Sequence, residues 1–434
     1  MQPPEGQTGR RESSREDAAR SGSRWDPALT RRELLRRAGL GAGSLALTGL
    51  AAACEPGRTA RPSPSPNWDR WWSQRSRAGV LDFANWPYYI DRHFDRRPSL
   101  ELFTRETGIR VNYYRPIKDT PSFFEEIRPQ LSAGNSIGYD LIVLTNGPEV
   151  TEMMESGWLI PLDHSYLGNF AVYAGPLVQD PSWDPGNRYT VAWQSGLTGI
   201  AFSPRATEAL GREPRSVRDL WDPALQGRVG MMSDTTELGS FGLLAIGVDP
   251  AASTPQDWAQ AADALRGQRD VVHPRYYDQG YVDALTRGDT WATMAWSGDI
   301  FQINALGHPE MRFVVPDEGA MLWTDNMMIP AGARHPVDAM EYIDFVYQPK
   351  VAAMIADWVW YITPVPDARA IIAGEFGDRE VANSPLVFPG PELARLNAEG
   401  SDAGGGARDY YVYRDPREWD RWVSTFLPIV YGES

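Results

Sequence analysis

Short apolar runs alternate along this chain with stretches whose apolar residues recur every three or four positions. Val80-Leu81-Asp82-Phe83-Ala84 predicts a strand, residues 99–106 a helix stopped by Gly108, and residues 109–114 a second strand. The rhythm continues with a helix over 122–131, a strand over 139–144, and a helix over Pro148–Glu155 ended by Gly157. This βαβα order predicts an α/β fold, a mainly parallel sheet with helices on both faces. Ligands of such sheets sit beyond the carboxyl ends of the strands, so the loops starting at Asn85 and Thr145 are expected at a binding cleft. A second apolar passage, 190–202, ends in a strand over 199–202, and helices are predicted at 216–221 and 256–265. Residues 291–296 predict another strand, 321–330 are largely apolar, and 337–346 and 351–359 have helical spacing. No block repeats at a fixed short period, which disfavours solenoids and propellers.

With 434 residues and 42% hydrophobic content the chain can bury a large core, and its length favours two domains. The formal charge of −15 hides a basic leader: the first 53 residues hold nine Arg against six acids, leaving −18 on the rest. A body this acidic excludes nucleic acid as a partner and favours the approach of small cations. Seventeen Trp and eighteen Tyr supply more rings than core packing alone requires, enough to wall a pocket. Cys54 is the sole cysteine, which excludes a disulfide framework, and five scattered His suggest no metal site. No cofactor is implied. The absence of a Gly-x-Ser-x-Gly elbow and of a phosphate-binding loop argues against an enzyme.

Thr30-Arg31-Arg32-Glu33-Leu34-Leu35-Arg36 resembles the twin-arginine export signal, and the uncharged run 38–53 is too short to span a membrane. Leu50-Ala51-Ala52-Ala53-Cys54 resembles a lipoprotein processing site, so residues 1–53 are expected to be a cleaved signal and Cys54 the lipidated residue. Residues 54–77, rich in proline at the start, read as a flexible tether.

Eight strings carry a further resemblance. They are Asn85-Trp86-Pro87-Tyr88-Tyr89-Ile90, Thr107-Gly108-Ile109-Arg110-Val111, Tyr139-Asp140-Leu141-Ile142-Val143, Gly157-Trp158-Leu159-Ile160-Pro161-Leu162-Asp163, Met294-Ala295-Trp296-Ser297-Gly298, Trp323-Thr324-Asp325, Ile329-Pro330 and Tyr361-Ile362-Thr363-Pro364. In this order and spacing, from about residue 79 to 366, the chain resembles the spermidine/putrescine-binding proteins of bacterial ABC transporters. The resemblance implies the type II periplasmic binding-protein fold, two α/β domains with a ligand cleft between them. The first domain would comprise 78–198 plus 326–376 and the second 199–325 plus 377–434, with crossovers near 196–202 and 325–330. A monomeric, lipid-anchored protein on the outer face of the cytoplasmic membrane is implied, with a small cationic ligand and ABC permease subunits as partners.

A polyamine needs ring faces for its methylenes and ammonium groups, and carboxylates for its charge. By resemblance the ligand-binding set is Trp86, Tyr89, Thr145, Trp296, Trp323, Asp325 and Tyr361, with Asp325 as charge partner. Without the resemblance these rings fit core packing and Asp325 a turn or helix cap. The chain departs from the family twice. Asn146-Gly147-Pro148 supplies no ring after Thr145, and Thr235 and Leu238 occupy the places of two inner carboxylates, for which Asp234 or Glu237 would compensate. An opine, an amino-acid-derived cation or a thiamine-like compound therefore stays open as ligand.

Overall fold

The computed structural model describes residues 67–389, apart from 94, 279 and 306, together with 407–408 and 416–432. The expected twin-arginine leader, Cys54 and the tether as far as residue 66 lie outside the described residues. Beyond that point the expected tether contains a helix, α1 (Trp68–Ser73), capped by Asn67. Its Trp72 is buried, and the indole donates to the Pro161 carbonyl at 3.0 Å.

Among the described residues ten strands form one sheet: β1 (Val80–Ala84), β2 (Arg110–Tyr114), β3 (Leu141–Thr145), β4 (Thr190–Phe202), β5 (Val229–Met232), β6 (Arg275–Tyr277), β7 (Ala292–Trp296), β8 (Arg312–Val314), β9 (Ala320–Met328) and β10 (Ala407–Arg408). Their order is β2-β1-β3-β9-β4-β7-β5-β6, with β8 on β4 and β10 on β9. The helices that matter below are α2 (Pro98–Thr107), α3 (Thr120–Ser132), α4 (Pro148–Glu155), α5 (Thr235–Ala245), α6 (Pro255–Val272), α7 (Ser297–Ala305), α8 (Pro336–Phe345), α9 (Pro349–Val359) and α10 (Pro416–Tyr431).

Local chemistry sets the early elements. Proline opens α2 and α4, where its missing N–H costs nothing, and Gly108 ends α2 in the left-handed region at φ 77°. The N-cap Asp119 accepts the Ser122 amide at the start of α3. β1 runs parallel to both β2 and β3, as the βαβ rhythm requires.

The long strands β4 and β9 run antiparallel to each other through the middle of the sheet, and every residue in both is buried. β3 joins β9 at Asp325–Met328, while β7 joins β4 at Thr198–Phe202. The sheet therefore has two halves, one around β1–β3 and one around β5–β7, that meet along the β4–β9 ladder. Residues 379–388 are tied to the segment just before them, where the Arg369 guanidinium donates to Ala382 O and the Thr363 amide to Val387 O. On the second half, α10 packs against α5 and α6 through Trp422, whose ring lies 5.2 Å from Trp258.

Among the described residues no helix is long and apolar enough to cross a membrane.

Candidate functional site

Four consecutive residues of β4 organise the centre of the molecule. Ala192 pairs with Asn326 and Gln194 with Asp325, so Trp193 between them is an extra residue, a bulge. Bulges re-aim side chains and are frequent beside functional sites. The Trp193 indole donates to Tyr89 O at 3.2 Å, in the loop that follows β1. Ser195 exchanges both backbone hydrogen bonds with Ile362 and thereby seats Tyr361 next to the ladder. Gly196 lies opposite Trp323, and a Cβ at that position would run into the indole ring.

Asp325 stands where these contacts converge. Only 5% exposed, it accepts a hydrogen bond from Thr145 Oγ1 at 2.7 Å, across the β3–β9 pairing. The Tyr89 hydroxyl approaches the same carboxylate, although it falls short of a well-formed hydrogen bond. Burial pushes the Asp325 carboxyl up to about 6, against the opposing pull of the Thr145 and Tyr89 hydroxyls.

Rings surround this carboxylate in a continuous edge-on series. Tyr89 meets Tyr361 at 5.6 Å, Tyr361 meets Trp323 at 5.2 Å, and Trp323 meets Trp296 at 6.5 Å. Trp296 in turn meets Tyr281 at 5.9 Å. Trp86 is half-buried, and its indole N–H is spent on Val143 O at 3.0 Å, which leaves the ring rather than the N–H for contact.

Two more carboxylates join the rings. Glu237, in the first turn of α5, accepts from Thr198 Oγ1 at 2.8 Å and from the Trp296 indole at 3.2 Å. Asp299, on α7, accepts from the Tyr281 hydroxyl at 2.5 Å and the Tyr361 hydroxyl at 2.8 Å. Burial raises the Asp299 carboxyl, and the two phenols draw it back. Gly298 leaves room for this contact: a Cβ there would sit 2.5 Å from Tyr361 Cε1.

The structure thus brings Tyr89, Thr145, Trp296, Trp323, Asp325, Tyr361 and Glu237 together. Trp86 is held on β3 through Val143. Asp234 caps α5 by accepting the Thr236 and Glu237 amides at 2.9 and 3.0 Å. It adds to an acidic surround in which Glu149, half-buried at the start of α4, is pushed up to about 7 by burial and by the charges of Asp234, Glu152 and Asp119. Asn146, where the family resemblance lacked a ring, is used in the backbone, its Oδ1 accepting the Thr324 amide at 2.8 Å.

Sequence reasoning missed Asp299, Tyr281 and Trp193. Asp299 lies one residue beyond the Met294-Ala295-Trp296-Ser297-Gly298 string, in the first turn of α7.

Away from this site, Asp82, Asp140 and His335 place one ligand atom each within 4.8 Å of one another. The Asp140 oxygens already accept the Asp82, Arg334 and His335 amides and pair with the His335 ring at 2.8 Å, so this cluster ties β1 and β3 to the loop before α8.

Residues 100–389 match the family of bacterial extracellular solute-binding proteins. The spermidine/putrescine-binding periplasmic protein of Escherichia coli is 28% identical over 337 residues, covering 77% of this chain and 90% of that protein. A putrescine/cadaverine-binding protein of Pseudomonas aeruginosa is 28% identical over 326 residues, covering 73% of this chain and 87% of its own. In fold, the spermidine/putrescine ABC transporter substrate-binding protein of Streptococcus pneumoniae superposes with a TM-score of 0.66 at 23% identity, over 81% of this chain and 98% of that one. With its two-halved sheet and the match through residues 100–389, this chain belongs to the bacterial extracellular solute-binding proteins.

Proposed function

We propose that this chain is the substrate-binding lipoprotein of an ABC importer for a polyamine-class cation, which it binds between two closing domains. The observation that carries the reading is Asp325, a carboxylate stripped of water beside a run of aromatic rings, with Glu237 and Asp299 on the same rings. A buried carboxylate is costly unless a cation pairs with it, and ring faces favour an ammonium in the same space. Three carboxylates spread along one wall suit a ligand whose charges are spaced by methylenes. Asp325, with Tyr89 and Thr145, would take one ammonium group, Glu237 or Asp299 another, and Trp323, Trp296 and Tyr361 the chain between, with Trp86 at the rim. The acidic body would draw such cations in.

The test is a thermal-shift panel of putrescine, cadaverine, spermidine, amino acids, opines and thiamine on residues 67–434. A ligand that binds the native state alone raises its melting temperature. Polyamines should raise it and the others should not; a rise confined to amino acids, opines or thiamine would replace the reading.

Export by the twin-arginine route and anchoring through Cys54 complete the proposal, resting on the leader strings alone. Cys54→Ser should move the protein from the membrane fraction to the soluble one, and unchanged membrane retention would reject the anchor. More than one acyl chain is expected there, since a single chain holds only marginally.

A further inference from the structure

We propose that Trp193, the extra residue of the β4 bulge, is a positioning residue that holds Tyr89 beside Asp325 by donating its indole N–H to the Tyr89 carbonyl. The inference builds on the reading of Tyr89 and Asp325 as ligand groups.

The loop from Asn85 to Tyr89 does not hold itself in place cheaply. Tyr88 has φ 59°, in the left-handed region that a bulky side chain avoids, and its ring is 69% exposed. Packing of that ring gives little in return, so the turn must be held from its flanks. Two donors meet on the carbonyl of the next residue. Asn85 Nδ2 reaches Tyr89 O at 3.3 Å from within the loop, and Trp193 Nε1 reaches it at 3.2 Å from β4.

Trp193 is well placed to act as a fixed post. It is 1% exposed, stacked on Tyr342 at 6.5 Å and edge-on to Phe83 at 6.0 Å. The neighbouring Ala192 carbonyl accepts the Tyr347 hydroxyl at 2.7 Å, which pins the bulge to the segment after α8. The bulge also separates two tasks. An extra residue lets Trp193 turn toward the β1 loop while Gln194, Ser195 and Gly196 keep their register with Asp325, Thr324 and Trp323. One run of four residues thus holds Tyr89, Asp325, Tyr361 and Trp323, although Tyr89 comes from a separate loop.

The groups that face the Asp325 carboxylate are Thr145 from β3, Tyr89 from the loop, Tyr361 after α9 and, one ring further, Asp299 from α7. Of these, Tyr89 is the one Trp193 holds. The Tyr89 hydroxyl draws the Asp325 carboxyl downward. Loosening Tyr89 should therefore let that carboxyl rise.

The experiment follows the Asp325 carboxyl by carbon NMR in the ligand-free protein, its resonance identified by absence in Asp325→Asn. In Trp193→Phe, which keeps the ring and removes the donor, the titration midpoint should move up from its wild-type position near 6. Polyamine affinity of the same variant should fall about three- to tenfold, the worth of one neutral hydrogen bond. A purely structural tryptophan would lower the melting temperature and leave the Asp325 midpoint where it was, and that result would overturn the proposal. Should the variant not fold, the wild-type indole N–H of Trp193 carries the test: its nitrogen shift should titrate with the Asp325 midpoint, and a flat response would overturn the proposal. Neither NMR reading involves a ligand, so a failed polyamine panel would reject the proposed function without deciding this inference.

Discussion

At neutral pH Asp325 holds a charge where water barely reaches, and burial lifts its carboxyl from 3.8 to about 6. In the unfolded chain it titrates near its ordinary value, so between these two pH values the folded protein binds the extra proton. The stability this group allows is complete below pH 3.8 and is lost as the pH climbs through about 6. Above that, the ionised group costs the empty fold on the order of 3 kcal/mol. Asp325→Asn keeps the shape and the Thr145 contact, so the empty variant should melt a few degrees above wild type at pH 7.5. The gap should close as the pH falls toward 4 in scanning calorimetry. A variant that melts below wild type at pH 7.5 would mean that the carboxylate is held by attraction and is not stranded. Asp325 was legible because Trp323-Thr324-Asp325 stands as one short string, whereas Asp299 was not, because its string was read only as far as Gly298. Its role rests on two phenols, Tyr281 and Tyr361, that the fold brings together from distant positions.

The β4 strand shows what a single element can place. Gly196 gives room to the Trp323 ring, and Ser195 carries Tyr361 through its bridge to Ile362. Gly196→Ala should push the indole off Tyr361 and Trp296, at a cost of about 1–3 kcal/mol from overpacking. Ligand affinity, measured by titration calorimetry, should fall together with the melting temperature. Gly267→Ala serves as the control: that glycine lies in α6 with nothing within 4 Å of an added Cβ, and the change should leave affinity untouched. Equal affinity in the two variants would detach the Trp323 ring from the site. Elements with caps were readable in advance, as at α4, which runs over the expected residues with Gly157 beyond it at φ 69°. The extent of β4 was not. All thirteen of its residues are buried, so the inside-outside alternation that marks a strand is missing, and no glycine or proline flags the bulge at Trp193. Likewise α6 continues to Val272, well past the predicted 265, because it rests on two neighbours, α5 and α10, rather than on one amphipathic stripe.

For the whole molecule, the sequence pattern pointed to a mainly parallel α/β sheet, and its first three strands follow that plan. The antiparallel β4–β9 ladder that joins the halves comes instead from two distant apolar passages whose pairing depends on tertiary packing. The family match and the fold agree on a solute-binding protein. Glu237 reaches Trp296 although Thr235 and Leu238 occupy the places the family resemblance gave to acids. In the proposed function a buried Asp325 receives a polyamine's ammonium group. Calorimetric titration of the polyamine that ranks first in the panel, into wild type and Asp325→Asn at pH 7.5, tests it most directly. Removing one partner of a buried charge pair costs on the order of 2–5 kcal/mol, so the variant should bind roughly 30-fold or more weakly while staying folded. Equal affinity in the two proteins would remove Asp325 from the ligand site.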